Sequence, residues 1–351
     1  NDNEEKTKEL IKNIVYTIQG LEKWNGHLYN WYQIKTKEPL IPRYISTVDS
    51  GNFIGYMYVV KSFFIEIREK IYAESIQNKY ANSIKEKYAG SISKTYANSI
   101  NKIYAESISV EELKSLIEII NNIINNTDFS VLYNNELQIF SIGFNIEENK
   151  LTESYYDLLA SESRQASLVA IAKKDVPAKH WNYLSRTLTT LGKYKGLISW
   201  SGTAFEYLMP DINIPRYEGS LLDESCKFMI LSQKEYAKKL NIPWGISEAA
   251  FNVKDLKSNY QYKAFGIPWL GLKRGLADEL VVSTYGGVLA INDIPEEEIK
   301  NLKHLESEGM YDKYGFYEAI DYTPERVEKG KTSSVVKTYM AHHQGLILLA
   351  I

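Results

Sequence analysis

Residues 156–173 read YDLLASESRQASLVAIAK. The stretch is built on Leu and Ala, which favour helix, and reads as one long helix carrying Asp157 and Glu162 among apolar neighbours. Working outward, the same pattern recurs along the chain. Leu10, Ile11, Ile14, Val15 and Ile18 have helical spacing over residues 4–20. A second helix is expected from Ser46 or Thr47 to about Glu69, with a hydroxyl as cap and Asp49 in its first turn. Further helices are expected at Glu111–Ile124, Ala178–Arg186, Thr203–Met209 and Leu221–Leu240, at about 272–291 and 295–307, and from Ser334 to the end. Short extended runs are expected at Ser130–Tyr133, Gln138–Ile142, Tyr260–Ile267 and Tyr314–Tyr322, and short helices or loops near Ile246–Phe251. Ten to twelve helices with scattered strands exclude a parallel α/β sheet and give an all-α fold class.

Tyr72, Tyr80, Tyr88, Tyr96 and Tyr104 recur every eighth residue, followed by Ala and then Ser-Ile. Eight residues advance a helix by about 80° beyond two turns, so the stripe winds around it and cannot stay on one face. Residues 70–108 are therefore expected to be an inserted helical arm with no catalytic role; a partner-binding or substrate-guiding arm, or disorder, is the alternative.

Composition narrows the function classes. The 351 residues carry 41 basic and 44 acidic side chains, a net charge of −3. That lacks the cationic footprint of a nucleic-acid binder. Cys226 is the single cysteine, which excludes a disulfide within the chain and a Cys-based zinc site. His342 and His343 are adjacent, about 100° apart on a helix, so they cannot grip one metal from one face; no metal and no cofactor is expected. No apolar run reaches membrane-span length. The start on Asn1 and the end within GLILLAI read as a piece of a longer protein. Tyrosine is abundant, at 27 residues, and its flat face with a polar tip suits sugar rings.

Acids sit among aromatics and glycines in several polar words: Asp49, Asp157, Glu162, Glu206, Glu248, Glu318 and Asp321. Glycosyl transfer needs a carboxyl pair, one protonated and one ionised. Spacing alone does not choose among the seven, since any of them could cap a helix or join a buried ion pair. Glu162, inside its helix, is less cap-like than Asp49 or Asp157.

The runs LYNWYQIKTKEPLIPRYISTVDSGN (28–52), IFSIGFNIEENKLTESYYDLLASESRQASLVAIAKKDVPAKHW (139–181), LISWSGTAFEYLMP (197–210), IPWGISEAAFN (242–252), YQYKAFGIPWLGLKRGLADELVV (260–282), YGFYEAIDYTPERV (314–327) and YMAHHQG (339–345) resemble the glycoamylase-like middle region of cyclic β-1,2-glucan synthases. The likeness spans most of residues 25–70 and 127–351; the octad repeat departs from it. The resemblance implies an (α/α)6 toroid over residues 1–351, with 70–108 inserted. It implies a membrane-embedded parent, with this region soluble at the cytoplasmic face and glycosyltransferase and phosphorylase-like parts in the same chain. The implied activity cuts a linear β-1,2-glucan internally and joins the fragment to the chain's own far end. An endo-β-1,2-glucanase and a non-catalytic glucan scaffold are the alternatives. By the family's motifs the catalytic pair is Glu162, as acid/base, and Glu248, as nucleophile. Asp49, Trp200, Glu206, Trp244, Tyr260, Gln261, Tyr262, Arg274, Glu318, Asp321, His342 and Gln344 are implied substrate-binding residues, with Glu206 in reserve as a catalyst.

Overall fold

A computed structural model describes residues 2–87 and 109–351. Among them are helices α1 (Asp2–Gly20), α2 (Thr47–Lys87), α3 (Val110–Asn126), α4 (Arg164–Lys173), α5 (His180–Tyr183), α6 (Ala204–Leu208), α7 (Leu221–Leu240), α8 (Thr284–Val288), α9 (Pro295–Ser307) and α10 (Ala341–Ala350). The strands are short: β1 (Tyr44–Ser46), β2 (Tyr133–Asn134), β3 (Ile139–Ser141), β4 (Gly143–Asn145), β5 (Lys150–Leu151), β6 (Tyr155–Tyr156), β7 (Leu188–Leu191), β8 (Tyr194–Leu197), β9 (Ala249–Lys254), β10 (Tyr260–Lys263), β11 (Val281–Ser283), β12 (Tyr311–Asp312), β13 (Gly315–Phe316), β14 (Ala319–Asp321) and β15 (Ser334–Val336). They form small sheets of two or three strands, so helices dominate with short β segments between them. No helix among the described residues is long and apolar enough to cross a membrane. The chain divides into two compact units.

The first unit comprises residues 1–133, 141–154 and 169–176. Its best-formed helix is α3, capped by Ser109, whose hydroxyl accepts the Glu112 N–H at 3.1 Å. Leu113, Leu116, Ile117, Ile120, Ile123 and Ile124 form its buried face, the period expected of an amphipathic helix. β1, β4 and β5 pair antiparallel, and Trp24 stacks on Phe144 at 4.2 Å. The expected cap of α2 is present: the Asp49 N–H donates to the Ser46 hydroxyl at 3.2 Å. α2 does not stop near Glu69 but continues to Lys87, into the octad repeat, where Tyr72 and Ile76 are exposed. The rest of the repeat, 88–108, lies outside the described residues. The expected strand Ser130–Tyr133 is instead a 3-10 turn, Phe129–Leu132, because the Asp128 carboxylate accepts the Ser130 N–H at 2.9 Å and starts a turn.

The second unit comprises 134–140, 155–168 and 177–351. One apolar cluster runs through it from Leu159 to Ala350. α7 occupies the expected span, with Ser220 as cap and Asn241 closing it at φ 54°. Gly196 on β8 faces it, where a Cβ would lie 2.4 Å from the Phe228 ring. β7–β8, β9–β10, β12–β13 and β11–β14–β15 pair antiparallel.

Four expected elements differ here. Only residues 164–173 of the long helix are helical. Residues 157–163 form a loop whose backbone is used elsewhere: the Leu159 N–H donates to the Ser185 carbonyl (3.0 Å) and the Ser163 N–H to the Ser161 hydroxyl (3.1 Å). Residues 249–254 become β9, paired with β10. In place of a helix over 272–291 stand a loop, β11 and the short α8, since Val281–Ser283 pairs with β14. The last helix starts at Ala341, because Ser334–Val336 is recruited as β15. In all four, tertiary pairing overrides local propensity.

His27, in the first unit, is fully buried, its Nδ1 2.9 Å from the Ser50 hydroxyl and its Nε2 2.8 Å from the Asp128 carbonyl. A carbonyl only accepts, so Nε2 carries the proton and Nδ1 accepts from Ser50. Burial lowers its pKa to about 4. The unfolded chain then binds a proton below about pH 6.5 that the folded chain refuses. Stability contributed by neutral His27 is present above about pH 6.5 and falls by about 3 kcal/mol as pH drops toward 4. In chemical denaturation, His27→Gln should remove that share of the acid-side slope.

Candidate active site

The second unit gathers three glutamates from three separate segments. Glu162 sits in the loop before α4. The buried guanidinium of Arg164 fixes that loop, donating to the carbonyls of Ser161 (3.1 Å) and Glu206 (2.7 Å), to the Tyr207 carbonyl, and to Asp211 (3.0 Å). One planar fork thus ties the Glu162 loop to α6, which a lysine could not reproduce. Glu206 lies on α6 in a reciprocal capping box with Thr203. Glu248 precedes β9 after a tight turn. Gly245 there has φ +125°, and a Cβ on it would lie 2.6 Å from the Ser283 carbonyl oxygen. Gln233 of α7 brackets the turn, its amide bonding both the carbonyl and the N–H of Ile246 at 2.7 and 2.8 Å.

Glu162 keeps part of its surface accessible, yet protein atoms crowd its carboxyl. Burial, then the charges of Glu206 and Glu248, raise its pKa to about 8. Ser161 donates to it at 3.1 Å. Glu206 is almost fully buried, and burial raises its pKa too. Its oxygens accept from the Ser199 and Thr203 hydroxyls (2.8 and 3.1 Å) and from the N–H groups of Ser201 and Thr203 (both 2.9 Å). Those donors are structural, and they occupy Glu206 in holding its own turn. Glu248 accepts from the Tyr262 hydroxyl at 3.1 Å, and the Tyr285 hydroxyl donates to its main-chain carbonyl at 2.9 Å. Tyr262 is delivered by β10, whose register shifts between Tyr260 and Gln261.

A carboxyl–imidazole pair abuts this cluster. Glu318 and His343 are both buried, Nδ1 to Oε1 2.7 Å. His343 stacks on Tyr285 at 3.8 Å, and its Nε2 lies 3.5 Å from the Tyr262 oxygen.

The remaining expected residues divide. Trp200 is exposed and donates through Nε1 to Asp157 at 2.8 Å. Tyr260 is half-buried under the Lys254 ammonium, 4.5 Å from its ring centre, and Gln261 is exposed beside it. Arg274 is exposed on a depression of about 390 Å³ with Lys263, Lys273, Asp278 and Glu279. Gln344 lies 3.5 Å from the Phe316 carbonyl. Trp244 is buried, its backbone bracketed by Asn301 at 2.9 Å on both sides. Asp321 is fully buried against Arg326 (2.7 and 3.2 Å) and takes the N–H groups of Asn252 and Thr323. Those four bonds occupy its acceptors in holding β14, with none turned to a ligand. His342 is exposed, edge-on to Phe205 at 5.9 Å. Its neighbour His343 is the imidazole turned to the carboxyls. Asp49 lies in the first unit, exposed on the first turn of α2. Sequence reasoning weighed His343 with His342 and carried only His342 forward, and it gave no role to Tyr285 or Arg164. The signal for His343 was the buried phase of the last helix; Arg164, two residues from Glu162, had none. Among the described residues no group of three or more His, Cys, Asp or Glu side chains could hold a metal ion.

Comparison with known proteins adds to this geometry. The chain is 32% identical, over 99% of its length, to the cyclic β-(1,2)-glucan synthase NdvB of Rhizobium meliloti (strain 1021), and it spans 15% of that protein. Its fold is similar to that of an endo-β-1,2-glucanase from Talaromyces funiculosus solved with sophorose (TM-score 0.66, 12% identity, 97% of this chain and 65% of that one). It is also similar to a β-1,2-glucanase from Parabacteroides distasonis (TM-score 0.64, 10% identity, 96% and 46%). The Glycoamylase family model, described as "Putative glucoamylase", matches residues 154–351, the segment that carries all three glutamates. With more than half of its length matched in this way, the chain belongs to the glycoamylase family.

Proposed function

We propose that this chain is a glycosidase-like enzyme that cuts an internal bond of linear β-1,2-glucan and transfers the fragment to the chain's own non-reducing end, closing a ring. The observation that carries the reading is the meeting of Glu162 and Glu248 within each other's field beside Tyr262, in a chain related to a cyclic β-1,2-glucan synthase. Net retention at the anomeric carbon needs a proton donor and an ionised carboxylate. Glu162 holds a proton at neutral pH, the form a general acid needs. That supports Glu162 as acid/base and Glu248 as nucleophile. Trp200, Tyr260 and Gln261 are the proposed subsite residues, with Arg274 and Gln344 at the margin. A single (α/α)6 toroid with 70–108 inserted belongs to the same proposal. So does a longer, membrane-held parent with glycosyltransferase and phosphorylase-like parts. Hydrolysis without transfer is the second reading, favoured by the fold likeness to the two β-1,2-glucanases.

Incubating the chain with linear β-1,2-glucan and weighing the products separates these readings. Cyclisation yields oligosaccharides lighter by one water and without a reducing end; hydrolysis yields reducing fragments; a scaffold yields neither. Glu162→Gln and Glu248→Gln should each lose at least about 10²-fold in turnover. External azide tests the roles: the acid/base variant should give a β-glycosyl azide and the nucleophile variant an α-azide. An α-azide from Glu162→Gln would reverse the order.

The same variant has a folding signature. A carboxyl with folded pKa near 8 and an ordinary unfolded value binds more protons folded than unfolded across that interval. Its contribution to stability therefore falls as pH rises from about 4.5 to 8. Glu162→Gln should melt at or above the wild-type temperature, with an advantage that widens over that window.

A further inference from the structure

Two groups in this unit have no role of their own in the reading above: the buried His343–Glu318 pair and the hydroxyl of Tyr262. They form one line. The Tyr262 hydroxyl donates to Glu248 Oε2 at 3.1 Å. Having given its proton there, the phenol oxygen can only accept, and His343 Nε2 faces it at 3.5 Å. His343 Nδ1 faces Glu318 Oε1 at 2.7 Å, and the same oxygen takes the Ala250 N–H at 3.3 Å. Both imidazole nitrogens thus face acceptors, an arrangement satisfied by two N–H donors. The imidazole lies flat on the Tyr285 ring, 3.8 Å between centres and 21° between planes, which suits a cation over a π face. Tyr285 in turn holds the main chain of Glu248 at 2.9 Å.

We propose that Tyr262 and His343, braced by Glu318 and Tyr285, are positioning residues for Glu248, fixing its carboxylate in one orientation and favouring its ionised form. The proposal rests on the reading of Glu248 as one of the catalytic pair. Donation from a hydroxyl stabilises the carboxylate over the acid. Burial, followed by the charge of Glu248, holds the Tyr262 phenol well above its ordinary value, so it remains a donor at every working pH. The ionisable groups facing Glu248 include Glu162, Tyr262 and Tyr285, with Glu318 and His343 behind the two tyrosines.

The test uses the whole chain with ¹³C-labelled glutamate, the Glu248 carboxyl being assigned by its loss in Glu248→Gln. Tyr262→Phe keeps the ring and removes the donor. Its Glu248 midpoint should rise by about 1 in pH, and the acid limb of the kcat profile on linear β-1,2-glucan should move with it while KM stays near wild type. His343→Leu should move the midpoint the same way. The double variant should go no further than Tyr262→Phe alone, because the two act through one bond. An unmoved midpoint in Tyr262→Phe overturns the proposal, and additive shifts overturn the link from His343. If His343→Leu does not fold, Tyr262→Phe decides by itself. A raised midpoint in a chain without turnover on the glucan would support the contact and overturn the enzymatic reading instead.

Discussion

Mutual repulsion among Glu162, Glu206 and Glu248 is the constraint around which the second unit is arranged. Water would separate and screen three such carboxyls. Here burial itself, and after it the charges of Glu206 and Glu248, keeps a proton on Glu162 up to about pH 8. The fold keeps them together by giving each a different remedy. Glu206 receives four donors from its own turn. Glu248 receives the Tyr262 phenol. Glu162 receives little beyond Ser161 and retains its proton. Similar residues in one cluster thereby have unequal hydrogen-bond environments, and unequal environments are how two carboxyls come to divide acid and base work.

Holding that arrangement requires rigid attachments from outside the cluster. Arg164 links the Glu162 loop to α6 through main-chain carbonyls, so the spacing of the first two acids depends on a buried cation that touches neither carboxylate. Gly245, Gln233 and Ser283 do the same for the Glu248 turn. Buried polar networks of this sort raise the cost of any alternative packing when every member is satisfied. This one is dense around Glu206, whose four donors fix its carboxyl in its own turn.

Helix-dominated architecture was legible in the apolar spacing of α3, which buries the expected face, and in the span of α7; α1 forms where its spacing predicts, but Leu10 and Ile14 of that set are exposed. What spacing could not reveal was competition. YDLLASESRQ has the composition of a helix, but Ser185 offers its backbone to Asp157 and Leu159, and the Ser161 and Ser163 hydroxyls offer further bonds. The helix starts only at Arg164. The consequence is chemical: Glu162 stands on a loop held by side chains, not on a helical face. Tertiary pairing likewise turned 281–283 and 334–336 into strands. Among candidate site residues, ordered motif words named Glu162, Glu206, Glu248 and Tyr262, all of which lie in the second unit. Those words could not separate a ligand-facing acid from a structural one such as Asp321, whose partner Arg326 is five residues away, nor choose between adjacent histidines. That choice depends on the rotation of a helix whose start was itself misplaced by seven residues, from Ser334 to Ala341.

For the proposed transfer, the same two carboxyls serve hydrolysis and ring closure alike, so the outcome is decided by which hydroxyl reaches the glycosyl intermediate first. A tethered chain end competes at an effective concentration in the millimolar range for a flexible tether, far below that of water. It wins only if the site holds the acceptor in line and denies water the same place. The geometry around Glu248 bears on this. Its carboxylate is restrained by Tyr262, whose ring is half exposed while its hydroxyl points inward. A sugar packed against that ring would cover the approach to Glu248, and the exposed Trp200, oriented by Asp157, offers a second face at the Glu162 loop. Specificity for transfer would then reside less in the acids than in how completely two aromatic faces are covered by glucan before the bond breaks.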